Sequence, residues 1–161
     1  MNGSGSDGQA RIVVGVDGSE GSTQALRWAA RQAELTGATL DVITTWQYPT
    51  FYGWVPAYPA DLDLAQLAQQ ALDRALDEVF GPDRPALLRV RVMEGNAPQA
   101  LVDASAGAAL LVVGSRGYGG FTDALLGSVS TYCVHHAHGP VTIIRPAAQP
   151  AVPGTERDAT S

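Results

Sequence analysis

The stretch Ala109-Leu110-Leu111-Val112-Val113-Gly114-Ser115-Arg116-Gly117-Tyr118-Gly119-Gly120 passes from an apolar, β-branched run into a glycine-rich one. Seven residues later, Gly127-Ser128-Val129-Ser130 opens a helical pattern. An apolar run without alternation predicts a strand over 109–114 that is covered on both faces. Glycines let the following backbone take positive φ and let a ligand come close to it. A helix N-terminus offers unpaired N–H groups and partial positive charge, so strand, glycine loop and helix start together predict an anion site. Ser128 and Ser130 add hydroxyl donors, and Arg116 is the only cation of the segment. One arginine cannot neutralise a triphosphate, so a divalent cation such as Mg2+ (or Mn2+) is expected to help.

Outward from this stretch the pattern alternates. A β-branched run over 11–16 is broken by Asp17-Gly18-Ser19. Leu26, Ala29, Ala30 and Ala33 then recur at helical spacing up to Gly37, a C-cap residue. Residues 39–46 read as a second strand. Residues 47–60 hold three prolines, one glycine and five aromatics, which predicts a loop. The residues from Leu64 to Val79 give the clearest amphipathic helix, ended by Gly81-Pro82. Residues 87–93 alternate as a strand, with Arg89 and Arg91 on one face and Leu88, Val90 and Val92 on the other. Asn96 caps a short helix reaching Ala106, with Pro98 in its first turn. Val129, Tyr132, Cys133, His136 and Ala137 share one face of a last helix, and 141–144 form a last strand. Strands alternating with helices predict parallel β-α-β units with right-handed crossovers, hence an α/β fold around an open five-stranded sheet. Ligands of such sheets sit at the carboxyl ends of the strands, where strand order reverses.

The 161 residues allow one domain. It is expected over 10–146, between a disordered arm at 1–9 and a flexible tail at 147–161. Ten basic residues, all arginine, against sixteen acids give a net charge of −6. That balance argues against a nucleic-acid or anionic-membrane surface. The absence of lysine excludes a Walker-type loop and Schiff-base chemistry. A phosphate loop built from backbone N–H groups needs no lysine. The N-terminus has no basic or apolar signal region, and the longest apolar stretch is too short to span a bilayer, so a cytoplasmic location is expected.

Gly114-x2-Gly117-x9-Gly127-Ser128 resembles the nucleotide-binding signature of the universal stress protein family, in its ATP-binding branch. Val13-Val14-Gly15-Val16-Asp17-Gly18-Ser19, Ala25-Leu26-x-Trp28-Ala29, Glu94-Gly95-Asn96-Ala97-Pro98 and Gly139-Pro140-Val141 are similar to that family as well. The likeness covers roughly 11–146. It implies a Rossmann-like sheet of order 3-2-1-4-5, ATP between strands 1 and 4, and a homodimer paired through Val141–Ile144. Carried over by position, Asp17 and the backbone of Thr45 would face the adenine, and Gly15 would lie beside the nucleoside. Gly114 and its neighbours Ser115 and Arg116 would reach the ribose. Gly117, Gly127, Ser128, Val129 and Ser130 would hold the phosphates, with Tyr118, Gly119 and Gly120 in the same loop. Thr44 stands where many family members have His, and Ala109 where they often have Asp.

These readings converge on an ATP-binding stress-response or signalling protein that changes conformation or partner with nucleotide occupancy. Turnover is expected to be slow or absent, since no water-activating carboxylate stands beside the expected phosphates. Two alternatives share the fold: a cyclic AMP binder, and a nucleotidyl- or phosphoryl-transfer enzyme using Asp17 and Arg116. His135, His136 and His138 read as a helix surface with His136 packed, and Cys133 as a small buried hydrophobe. Phe51, Tyr52, Trp54 and Tyr58 read equally as a lid or as a self-anchoring loop.

Overall fold

The computed structural model describes residues 8–48, 59–117 and 126–146. Along them strands and helices alternate: β1 Arg11–Gly15, α1 Glu20–Thr36, β2 Thr39–Trp46, α2 Leu64–Phe80, β3 Leu88–Glu94, α3 Ala97–Ser105, β4 Leu110–Gly114, α4 Ser128–His136 and β5 Val141–Ile144. Every strand pair is parallel and the order is β3-β2-β1-β4-β5. This is the α/β sheet that the alternation predicts, and its order is the one that the family resemblance implies. The aromatic positions Phe51, Tyr52, Trp54 and Tyr58 lie outside the described residues. So do Tyr118, Gly119, Gly120, the tail 147–161 and most of the arm 1–9.

Two apolar layers hold the sheet. Ile12, Val14, Leu40, Val42 and Val112 pack with Leu26 and Ala29 of α1 and with Leu72 and Leu76 of α2. Val13, Ile43, Leu111 and Val113 pack on the opposite face with Leu101 of α3 and Cys133 of α4. Period-two alternation along β1, β2 and β4 therefore feeds both layers, which is why β1 and β4 read as nearly continuous apolar runs. The second layer is thinner, because α3 and α4 have nine residues each against seventeen in α1 and α2. α3 lies over β1 and β2, while β3 meets α2 on the other face.

One helix face departs from the expectation. Val129, Cys133 and Ala137 of the last helical segment do pack on the core. His136 is exposed, and its ring lies 4.2 Å from that of Tyr132. The Tyr132 hydroxyl reaches Gln99 Oε1 at 3.0 Å. Positions 132 and 136, four apart, thus form a pair at the edge of α3 and not part of the buried stripe. Among the described residues no helix is long and apolar enough to cross a membrane.

Candidate functional site

The turn leaving β1 satisfies its own polar groups. Gly18 takes φ 84°, which a side chain would strain. Asp17 Oδ1 accepts the Ser19 N–H at 2.9 Å, and Ser19 Oγ accepts the Ser22 N–H at 3.3 Å as the cap of α1. The Ser22 hydroxyl donates to the Ser19 carbonyl at 2.9 Å and accepts the Asp17 N–H at 3.2 Å. Thr44 is buried, and its hydroxyl donates to the Val16 carbonyl at 2.7 Å, tying β2 to the end of β1.

The loop leaving β4 is tied down on both sides. Ser115 N–H donates to the Ile144 carbonyl at 2.8 Å. The Ser115 carbonyl accepts the Gly127 N–H at 2.6 Å and the Ser130 hydroxyl at 3.1 Å. The start of the glycine loop is thereby joined to the start of α4. Ser130 also reaches the Gly127 carbonyl at 3.0 Å and is only 1% exposed, so its hydroxyl serves the loop.

Backbone lies against backbone here. A Cβ at Gly114 would stand 2.9 Å from the Gly21 carbonyl oxygen, and one at Gly21 would stand 2.7 Å from that of Arg116. A Cβ at Gly127 would stand 3.3 Å from the Ser115 carbonyl oxygen. A Cβ at Gly117 would come within 2.5 Å of Asp17 Oδ2. The first turn of α1 and the end of β4 are thus packed at a distance that only glycine permits.

Between these two loops opens a cavity of about 520 Å³, within the range of small-molecule sites. Gly15, Asp17, Thr45, Gly114, Ser115, Arg116, Gly117, Gly127, Ser128, Val129 and Ser130 all line it. These are the site positions read from the sequence, apart from the three outside the described residues. Thr44 is not among the lining residues; the side chain at that point of β2 turns to the other face. The cavity has an apolar wall of Ile43, Leu101 and Val113 and a polar end at α4. α1, α2 and α3 each carry a side-chain cap, from Ser19, Asp63 and Asn96. α4 has Gly127 at its N-cap and, among the described residues, no side-chain cap bond. The N–H groups of its first turn have no partner within the helix and stand at the cavity wall.

Sequence reading missed Leu101, Ala97 and Gly21. Leu101 and Ala97 reach the cavity because the crossover from β3 lays α3 over β1. Gly21 does not line the cavity and acts through Arg116 and Gly114. No local pattern marks Leu101 or Gly21, and the family-like run that holds Ala97 does not point to the cavity, since each contact joins segments far apart in the chain. Cys133 sits beneath the site, wholly buried, and burial pushes its thiol up to about 11.

A family model described as the universal stress protein family matches residues 10–145. A universal stress protein of Mycobacterium tuberculosis is 35% identical over 161 residues, an alignment covering 88% of this chain and 50% of the relative. The chain spans about half the length of the curated relatives it matches. Among solved structures, a universal stress protein in complex with cAMP is 28% identical and covers 84% of this chain and 95% of its own, with a TM-score of 0.56. The universal stress protein UspA of Lactobacillus plantarum is 21% identical, covers 86% of this chain and all of its own, and superposes with a TM-score of 0.63. The latter likeness speaks for the fold alone.

Proposed function

Starting from the chain's membership of the universal stress protein family, we propose that it binds ATP in the cavity between β1 and β4 and signals by its occupancy. The observation that carries this reading is the uncapped N-terminus of α4, which meets Gly114, Gly117 and Gly127 at one end of the cavity. N–H groups with no partner within the helix, beside glycine backbone, fit a chain of phosphates. The apolar wall of Ile43, Leu101 and Val113 fits the flat face of a purine, with the Thr45 backbone and Asp17 at its edge. Gly15, Ser115 and Arg116 line the space between, where a ribose would lie.

A nucleoside triphosphate carries more negative charge than Arg116 offsets, and Mg2+ or Mn2+ supplies the balance. Asp17 Oδ1 accepts the Ser19 N–H, which fits a role in orienting the nucleoside. No second carboxylate lines the cavity among the described residues, and hydrolysis is expected to be slow or absent. A cytoplasmic homodimer completes the proposal. Val141–Ile144 leaves one edge unpaired among the described residues, and its side chains are half-buried. Pairing of two such edges buries them.

A second reading, binding of cyclic AMP, is favoured by the solved relative that holds that ligand. One experiment separates the two. The freshly purified protein is denatured and any released nucleotide identified by chromatography and mass, then the emptied protein is titrated with ATP plus Mg2+ and with cyclic AMP. ATP near one per chain, displaced weakly by cyclic AMP, is expected. Tighter binding of cyclic AMP overturns the first reading in favour of the second, and failure of both overturns the site.

A further inference from the structure

A second concavity lies on the same sheet face, on the other side of α3. Arg11, Asp41, Arg89, Val90, Arg91, Asp103 and Ala104 line it. Its floor is one ion cluster. Asp41 is buried, with its side chain 3% exposed, and takes a two-point contact from Arg91, Nε to Oδ1 at 3.0 Å and Nη2 to Oδ2 at 2.6 Å. Arg11 Nη1 adds a third bond to Oδ2 at 3.2 Å, and Arg11 Nη2 donates to the Ala106 carbonyl at 3.0 Å. Arg89, one register step from Arg91 on the same face, is exposed and has no ion pair among the described residues. Asp103 is engaged by Gln99 Nε2 at 2.8 Å. Three arginines face two carboxylates, so this groove has a local positive excess in a chain of net charge −6.

The groove runs along the rim of the sheet. β3 is the terminal strand, seven residues long and hydrogen-bonded only to β2, so its outer edge keeps unpaired N–H and C=O groups among the described residues. Val90, pointing to the other face, is 41% exposed. α3 does not extend over β3, and the arginines stand where a covering helix would otherwise lie. The edge thus offers backbone pairing, one apolar contact below it and two guanidinium groups two residues apart above it. Cross-strand neighbours stand about 5 Å apart, which puts an added strand's alternate side chains against Arg89 and Arg91. Arg91 is held in place by Asp41, and a guanidinium held in place meets a carboxylate with less lost rotamer freedom.

We propose that the β3 edge and its arginine groove dock an extended, acidic segment of a partner protein as an added strand, with carboxylates at alternate positions meeting Arg89 and Arg91. This surface is separate from the nucleotide cavity and from the β5 edge. Backbone pairing supplies affinity and the arginines supply register and sign.

The test uses the full chain and two dye-labelled peptides of about eight residues, one alternating Glu with Val and the other Lys with Val. Fluorescence anisotropy is read at low salt, and amide shifts are mapped by NMR. The acidic peptide is expected to bind, to weaken as salt is raised, and to shift amides of Leu88–Glu94. Arg89→Glu, at an exposed position with no ion pair among the described residues, is expected to weaken binding about tenfold or more, and Arg89→Ala, which sets no like charge opposite Asp41, is expected to weaken it in the same direction, with circular dichroism confirming the fold of both. Equal binding of the lysine peptide overturns the proposal, as does binding that ignores Arg89→Glu. If neither peptide binds, the arginines only guard the edge against pairing, and the proposal is likewise overturned.

Discussion

Two hollows flank α3 on one face of the sheet, and they are made of different material. The hollow between β1 and β4 is walled at one end by glycine backbone, small hydroxyls and a helix start, and at the other by Ile43, Leu101 and Val113. The hollow beside β3 is made of long charged side chains around Asp41. The first is fixed by contacts that leave no room for a methyl group. The second is fixed by charge, with Asp41 holding Arg11 and Arg91. Added bulk at a glycine tests the first, and loss of the shared carboxylate tests the second.

The largest effect expected from this contrast is at Ser128. It is exposed and sits at the first position of α4. Ser128→Glu puts a carboxylate at a helix N-terminus, where it suits the dipole, so the melting temperature should hold or rise slightly. The same charge opposes phosphates, and titration calorimetry should show ATP affinity falling by about 100-fold or more. Unchanged affinity would place the phosphates elsewhere.

Next comes the charged hollow. Asp41→Ala leaves Arg11 and Arg91 without their shared carboxylate. Both arginines are partly exposed, at 24% and 44%, so the loss is moderated by solvent. A drop of about 2 kcal/mol in urea unfolding is expected, with ATP affinity little changed. Equal damage to both readouts would show the two hollows to be coupled through α3.

Gly21→Ala tests the glycine packing from outside the cavity. The added methyl meets the Arg116 carbonyl and must push the loop or the helix start aside. Overpacking costs about 1–3 kcal/mol, offset by about 1 kcal/mol of helix propensity. Unfolding free energy should therefore fall by up to about 2 kcal/mol, and nucleotide affinity about tenfold, because the displaced Arg116 carbonyl belongs to the loop that lines the cavity. A variant that unfolds more easily but binds normally would make Gly21 a packing residue only.

Cys133 lies under the glycine hollow and gives a smaller, pH-dependent effect. Its thiol is raised from 9.0 to about 11 by burial. The folded chain then keeps a proton that the unfolded chain gives up, so stability is unaffected below pH 9 and declines as the pH rises toward 11. Urea unfolding at pH 8 and pH 10 should differ by about 1 kcal/mol more in the parent than in Cys133→Ala. The smallest effect is that of Arg89→Ala, with stability within about 0.5 kcal/mol of the parent. A larger loss would mean that Arg89 belongs to the Asp41 cluster and does not stand free beside it.

Much of the first hollow was legible in the chain, because strand ends, glycines and a helix start are local features. Gly114, Gly117, Gly127 and Ser128 could be placed together from spacing and from a family resemblance alone. The role of Ser130 could not: the resemblance sets the serine beside the phosphates, yet its hydroxyl is spent on Ser115 and Gly127. The second hollow was half legible. Alternation put Arg89 and Arg91 on one face, but Asp41, which holds Arg91 and Arg11, is fifty residues from Arg91, and nothing local links the two. His136 was placed with the buried stripe by helical spacing, and a nine-residue helix at the rim left it outside.

The sequence by itself determined the α/β class, the alternation of elements, the parallel sheet and the place where a ligand would be sought. Each follows from periodicity, caps and breakers, which act over a few residues. Only the tertiary structure decided that α1 reaches β4 through Gly21, that Leu101 walls the cavity and that Asp41 gathers two arginines. Those contacts depend on the twist of the sheet and on how crossovers lay one helix over distant strands, and no short stretch of the chain contains that information.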